Sequence, residues 1–190
     1  ANDIGVPVIT VDNSIDEQSD CQVISYVGAD HRLMGEQAAE LFIEALENRY
    51  PDEKQWNVIQ LTGVPGSSGA IDRGAGIEEV LGTEERIILL GNYNAEFTSE
   101  NAKSVTEDLL VLYDNIHGII CQNDLMAEGC YEAVSDAGKL GEIVIVGIDG
   151  QKSVVEKMVS GGIQGTVIQY PTMIETGIEL LCDYLDGKKI

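Results

Sequence analysis

The chain has 190 residues, with 33 acidic and 11 basic side chains and a formal charge of −22. Apolar content of 44% and a mean hydropathy near zero describe a globular chain that can bury a core, of one domain or a little more. The carboxylate excess argues against nucleic acid and anionic membrane surfaces as partners, since neutralising phosphate takes basic side chains, and no apolar run approaches the roughly 18–20 residues of a membrane span.

In chain order, residues 5–11 (GVPVITV) and 23–27 (VISYV) predict two strands. Residues 31–50 predict a helix, because Met34, Ala38, Leu41, Phe42, Ala45 and Leu46 recur at three- and four-residue spacing behind an N-cap at Asp30. A strand over 56–61 (WNVIQL), a glycine-rich loop over 63–69 and a helix over 70–81 follow. A strand over 86–90 (RIILL) precedes a helix over 99–113 capped by Thr98 or Ser99. A strand over 118–121 (GIIC) precedes a helix over 125–137, which Asp124 would cap and Gly138 would stop. The last elements are a strand over 143–148 (IVIVGI), a helix over 152–160, a strand over 163–169, and a helix from Pro171 to about Asp186 with the proline in its first turn. Strands alternating with helices of this length predict an α/β fold, a parallel sheet in a three-layer αβα arrangement. The strands are apolar on consecutive positions, as expected when both faces are covered.

The start reads as the lead-in to a strand, and the end stops just after a helix, so an excised piece of a longer protein is expected. The four cysteines at 21, 121, 130 and 182 form no CxxC and read as free buried thiols; neither a disulfide framework nor a metal site is expected.

In an open α/β sheet, ligands bind beyond the carboxyl ends of the strands. The residues that follow the predicted strands are Asp12 and Asn13, then Thr62 and the loop with Arg73 on the next helix. Asn92 and then Phe97 come next, followed by Gln122, Asn123 and Asp124, then Asp149, and finally Gln169 and Tyr170. Carboxylates, carboxamides and one guanidinium beside an aromatic suit a neutral polyhydroxylated ligand. Each hydroxyl both donates and accepts, and the apolar face of a sugar ring can stack on Phe97. Hydrogen bonds to charged groups contribute roughly 1.5–3 kcal/mol each, so a handful suffices for micromolar binding. Taken singly, each residue has a plainer role. Asp12 or Asn13 could be a turn residue, Arg73 a solvated helix residue pairing with Asp72, and Phe97 a core residue. No Ser/His/Asp or Cys/His set points to an enzyme; His117 is at the wrong end of its strand, and His31, at a helix start, does not converge on this edge. The loop over 63–69 lacks the signatures of nucleotide binding and reads as a tight turn capped by Ser67 or Ser68.

Six segments together resemble the ribose/galactose class of periplasmic sugar-binding proteins that serve ABC transporters. They are GVPVITVD (5–12), YVGAD (26–30) with Gly35, GSSGAIDR (66–73), QNDLMAEG (122–129), VGIDG (146–150) and GTVIQ (165–169). The resemblance runs through the whole chain in order. It implies a periplasmic binding protein type I fold of two similar α/β lobes joined by three crossovers, with sugar in the cleft. Residues 29–169 would form the C-terminal lobe, and residues 1–28 and 170–190 would be remnants of the N-terminal lobe, so this piece alone would bind sugar weakly. It implies ligand roles for Asp12, Arg73, Phe97, Asn123, Asp149 and Gln169, with Asn13 standing where ribose-binding members carry arginine. Ser67 and Gly69 stand where galactose-type members carry His and Asp. The stretch NVIQLTGVPGSSGAIDR (57–73) with EFT (96–98) resembles galactofuranose-binding members.

The resemblance thus implies capture of a ribose-like pentose or a hexose, without cofactor or metal, for a membrane permease. The protein would work in the periplasm or outside the cell, lipid-anchored in some members. Exposed edges of the first-lobe remnants would favour a dimer. The principal alternative is the sugar-sensing effector domain of a lactose-repressor-type regulator, which a basic helix-turn-helix upstream would mark. An extracellular sensor domain of a chemotaxis or kinase system and a nucleotide-dependent enzyme are further rivals.

Overall fold

A computed structural model describes residues 2–16 and 18–190; Ala1, where the lead-in begins, lies outside them. Two compact units divide the chain. One comprises residues 1–30 with 170–190, the other residues 31–169.

The smaller unit pairs β1 (Ile9–Val11) in parallel with β2 (Ser25–Val27) and packs α6 (Met173–Leu185) against both. Both strands are shorter than their apolar runs. Gly5 adopts φ 69° and closes a turn onto the Asn2 carbonyl at 3.0 Å, and Pro7 has no amide hydrogen to offer a ladder. Upstream of β1 the Val8 carbonyl still accepts from the Ile24 amide at 2.8 Å, and beyond it the Asn2 side chain exchanges two hydrogen bonds with the backbone of Gln22. Pro171 is not in the first helical turn: the Thr172 carbonyl accepts the first helical bond, from the Thr176 amide, so Thr172 is the cap and the proline lies in the preceding turn. Cys21 and Cys182 are exposed, contrary to the expectation of buried thiols; Cys121 and Cys130 are buried in the larger unit.

The larger unit is a three-layer αβα sandwich. Its elements are α1 (His31–Arg49), β3 (Trp56–Thr62), α2 (Ser68–Leu81), β4 (Ile87–Asn94), α3 (Ser99–Leu112), β5 (Gly118–Cys121), α4 (Asp124–Asp136), β6 (Val144–Asp149), α5 (Lys152–Val159) and β7 (Gly165–Ile168). The five strands run parallel in the order β4-β3-β5-β6-β7. From β3 the chain goes first to β4 on one side and then to β5 on the other. Successive helices therefore fall on opposite faces: α1 and α2 pair on one, α3, α4 and α5 on the other. Alternate residues of β3 divide the core. Ile59 and Leu61 pack with Ile119, Met126 and Ile145 in the cluster under α3–α5. Phe42 and Leu46 of α1 cover Gly118 of β5 from the opposite side. Phe42, Leu46, Trp56 and Ile145 are fully buried, each contributing about 1.5–3 kcal/mol by leaving water.

β4 runs past its expected end at residue 90 to Asn94, because a register shift opposite Val58 and Ile59 lets Gly91–Asn94 continue the ladder to Thr62. Asn92 is therefore inside a strand, where its amide donates to Glu78 at 2.6 Å, and not at a carboxyl end. Among the described residues no helix is long and apolar enough to cross a membrane.

Candidate functional site

The carboxyl ends of β5, β6 and β7 converge on Arg73. Ser67 caps α2, its hydroxyl accepting from the Ala70 amide at 3.3 Å, and Gly69, Arg73, Ile77 and Leu81 then form the buried stripe of the helix at four-residue spacing. A Cβ on Gly35 of α1 would come within 2.2 Å of the Arg73 carbonyl, so glycine is what lets α1 lie directly against the α2 backbone there. The guanidinium, on a residue only 5% exposed, has partners for all three nitrogens. Nη1 donates to the Gln122 carbonyl at 2.6 Å, Nη2 donates to Gln169 Oε1 and lies 3.3 Å from Asp149 Oδ1, and Nε donates to His31 Nδ1 at 3.3 Å. The ion pair is to Asp149 across the sheet edge, not to neighbouring Asp72.

Asp149 ends β6 with φ 134°, a conformation rare outside glycine, and Gly150 follows at φ 77°. Its carbonyl accepts from the Gln169 amide at 3.0 Å, which extends the β6–β7 ladder by one bond and places both side chains at the same edge. Burial pushes the Asp149 carboxyl above the usual range, against the downward pull of Arg73. Behind it, Asp124 is fully buried. Its carboxylate accepts from Thr166 Oγ1 at 2.7 Å and from the Gln151 amide at 2.6 Å, and burial pushes it up to about 6 despite those donors.

Asp124 is thus a tether for the β6–α5 turn. The cap of α4 is Asn123, whose Oδ1 accepts from the Met126 amide at 2.9 Å. The same carboxamide donates from Nδ2 to the Phe97 carbonyl at 3.2 Å. Phe97 and Glu96 hold φ of 60° and 55°, and the Phe97 ring lies against Gly63, where any Cβ would sit 2.0 Å from the ring. Phe97 is partly buried against the core, so it is both core edge and rim.

Arg73, Asp149 and Gln169 are therefore in direct contact, and Asn123 joins Phe97 through its amide while Gln122 beside it binds Arg73. Asp12 and Asn13 belong to the smaller unit. There Asp12 follows β1 at φ 67°, and its carboxylate accepts from Asn13 Nδ2 at 3.0 Å. Gln122 and Asp124 stand in the edge inventory without a ligand role, and His31 is expected off this edge. Gln122 accepts the Gly63 amide at 2.9 Å and donates to the Ala70 carbonyl, bracing the loop before α2. Asp124 was assigned the cap. His31 does converge on this edge, contrary to expectation, because α1 starts beside Arg73. His117 precedes β5 at its amino end, where it accepts the Asn57 amide at 2.9 Å.

Chemically, the cluster offers a guanidinium, a half-shielded carboxylate and carboxamides at one edge: donors and acceptors for hydroxyl groups. Among the described residues no group of three or more His, Cys, Asp or Glu could hold a metal ion. Burial and the neighbouring Cys130 push the Cys121 thiol well up, which disfavours the thiolate.

The chain is 31% identical over its whole length to the ribose import binding protein RbsB of Bacillus subtilis (strain 168), covering 58% of that protein. It is 32% identical over 97% of its length to the fructose import binding protein FruE of Bifidobacterium longum (strain NCC 2705), covering 56% of it. It thus spans less than two thirds of these relatives. An ABC transporter periplasmic solute-binding protein from Actinobacillus succinogenes 130z, crystallised with bound D-allose, superposes with a TM-score of 0.90 at 28% identity, over all of this chain and 66% of that one. With the sequence profile of the periplasmic binding protein domain matching residues 1–189, this chain belongs to that family.

Proposed function

We propose that the chain is the ligand-capturing part of an extracytoplasmic solute-binding protein that takes up a monosaccharide and delivers it to an ABC transporter permease. The observation that carries this reading is the buried Arg73 guanidinium held among Asp149, Gln169 and the Gln122 carbonyl at the carboxyl edge of the sheet. Such a set can donate to and accept from vicinal hydroxyls. Relatives named for ribose and fructose import, and a related structure holding D-allose, support a pentose or hexose as the ligand class. Arg73, Asn123, Asp149 and Gln169 would bind hydroxyls and Phe97 would present its ring face. Asp12 and Asn13 keep the role that the resemblance implies.

Calorimetry of the full-length gene product against D-ribose, D-fructose, D-allose and galactofuranosides tests the proposal. At least one should bind with micromolar or tighter affinity, and absence of binding across the panel would overturn it. Cell fractionation placing the protein in the cytoplasm would overturn the extracytoplasmic assignment.

A further inference from the structure

We propose that His31 is a positioning residue for Arg73, fixing the plane in which the guanidinium meets its ligand; the inference rests on the reading of Arg73 as a ligand group. His31 is the first residue of α1 and is 4% exposed. Its Nδ1 accepts the Arg73 Nε–H at 3.3 Å, so Nδ1 carries no proton and the proton of the neutral ring is on Nε2. The other Arg73 contacts lie on the Nη side: Gln122 from β5's end, Gln169 from β7's end and Asp149 from β6's end. Those bonds alone leave the planar group free to tilt about the Nη edge. A partner on Nε at the opposite corner removes that freedom, and a fork that cannot tilt presents its donors in one direction.

The same helix grips Arg73 a second time. Gly35, one turn along from His31, lies against the Arg73 carbonyl, where a Cβ would come within 2.2 Å. α1 therefore holds the residue by its backbone at Gly35 and by its side chain at His31. The consequence is a division of labour in which the strand ends supply ligand groups and α1 supplies aim.

The test has a ligand-free arm and a ligand arm. In nitrogen-15 spectra of the 190-residue chain, the Arg73 Nε–H should give a resolved signal that exchanges slowly with water in the parent and in His31→Asn, whose carboxamide oxygen replaces the Nδ1 acceptor. In His31→Leu it should exchange rapidly; a signal equally protected there overturns the proposal. In the ligand arm, calorimetry of the full-length gene product with the tightest sugar of the panel should show His31→Leu weakened about 10-fold and His31→Asn by less than about 3-fold. Equal losses in both variants, with unchanged melting temperatures, would also overturn it. If the parent binds no sugar, the proposed function fails while the exchange measurement still decides whether His31 orients Arg73.

Discussion

Arg73 is 5% exposed and bonded through every side-chain nitrogen, so truncating it leaves Asp149 without its cation and, on the proposed function, removes a ligand donor. Arg73→Ala should weaken sugar binding by roughly 1.5–3 kcal/mol, read by calorimetry of the full-length protein; unchanged affinity would remove Arg73 from the site. Asp124 makes a second residue-scale prediction. Its folded carboxyl titrates at about 6, against 3.8 ordinarily, so between those values the folded protein binds more protons than the unfolded chain. Stability therefore falls as pH rises through that window: the penalty is absent below about 3.8, complete above about 6, and at most ~3 kcal/mol. Asp124→Asn carries a fixed offset for one lost acceptor but no such slope, so the difference in unfolding free energy between variant and parent should shift toward the variant from pH 4 to 7. A flat difference in urea titrations would contradict this. Arg73 and Asp149 were legible as members of an edge inventory, because each follows a strand end. Asn123 and Asp124 were harder to apportion: both side chains cap helices well, and only the depth of Asp124 beneath Thr166 and Gln151 decides which one does. His31 carried no sequence signal, since its importance comes from a helix crossing between positions 42 residues apart.

At the scale of elements, two contacts couple stability to the site. Asn123 caps α4 and holds the Phe97 carbonyl, so Asn123→Ala should cost about 1 kcal/mol in chemical denaturation and loosen the Phe97 turn. Gly35→Ala would force a Cβ to 2.2 Å from the Arg73 carbonyl, which must push α2 away from α1. The expected loss is about 1–3 kcal/mol of stability, together with weaker sugar binding, because the helix that moves carries Arg73. Full stability with full affinity would show that the helices can separate without disturbing the edge. Element types were readable throughout from apolar periodicity, but ends were not always. Gly91 and Asn92 read as lying beyond a strand that ends at residue 90, yet they continue β4, because a register shift accommodates them. Residues 5–8 look like a strand yet lie outside β1, because a glycine turn and a proline interrupt the ladder.

For the whole molecule, a formal charge of −22 means that like charges repel across the surface in dilute buffer. Raising ionic strength from about 10 to about 200 mM shortens the screening length severalfold. The melting temperature should rise by about 2–4 °C, the shift that ~1 kcal/mol gives a chain of this size; no change would mean that local pairing already offsets the repulsion. Residues 31–169 contain a complete five-stranded sheet with helices on both faces, so that segment expressed alone should unfold cooperatively in calorimetry. The parallel α/β class was legible from alternating elements. The strand order β4-β3-β5-β6-β7 was not, because it depends on which distant strands pair, and no local pattern records that choice. One more property follows from the backbone. Among the described residues, four other than glycine are held at positive φ, namely Asp12, Glu96, Phe97 and Asp149, and such conformations cost on the order of 1–3 kcal/mol each. A directed-evolution screen that rewards heat resistance alone, run with no sugar in the medium, should enrich glycine or asparagine at these positions. Survivors changed at Asp12, Phe97 or Asp149 would gain durability and lose recognition, whereas Glu96→Gly would be the harmless route to a tougher protein.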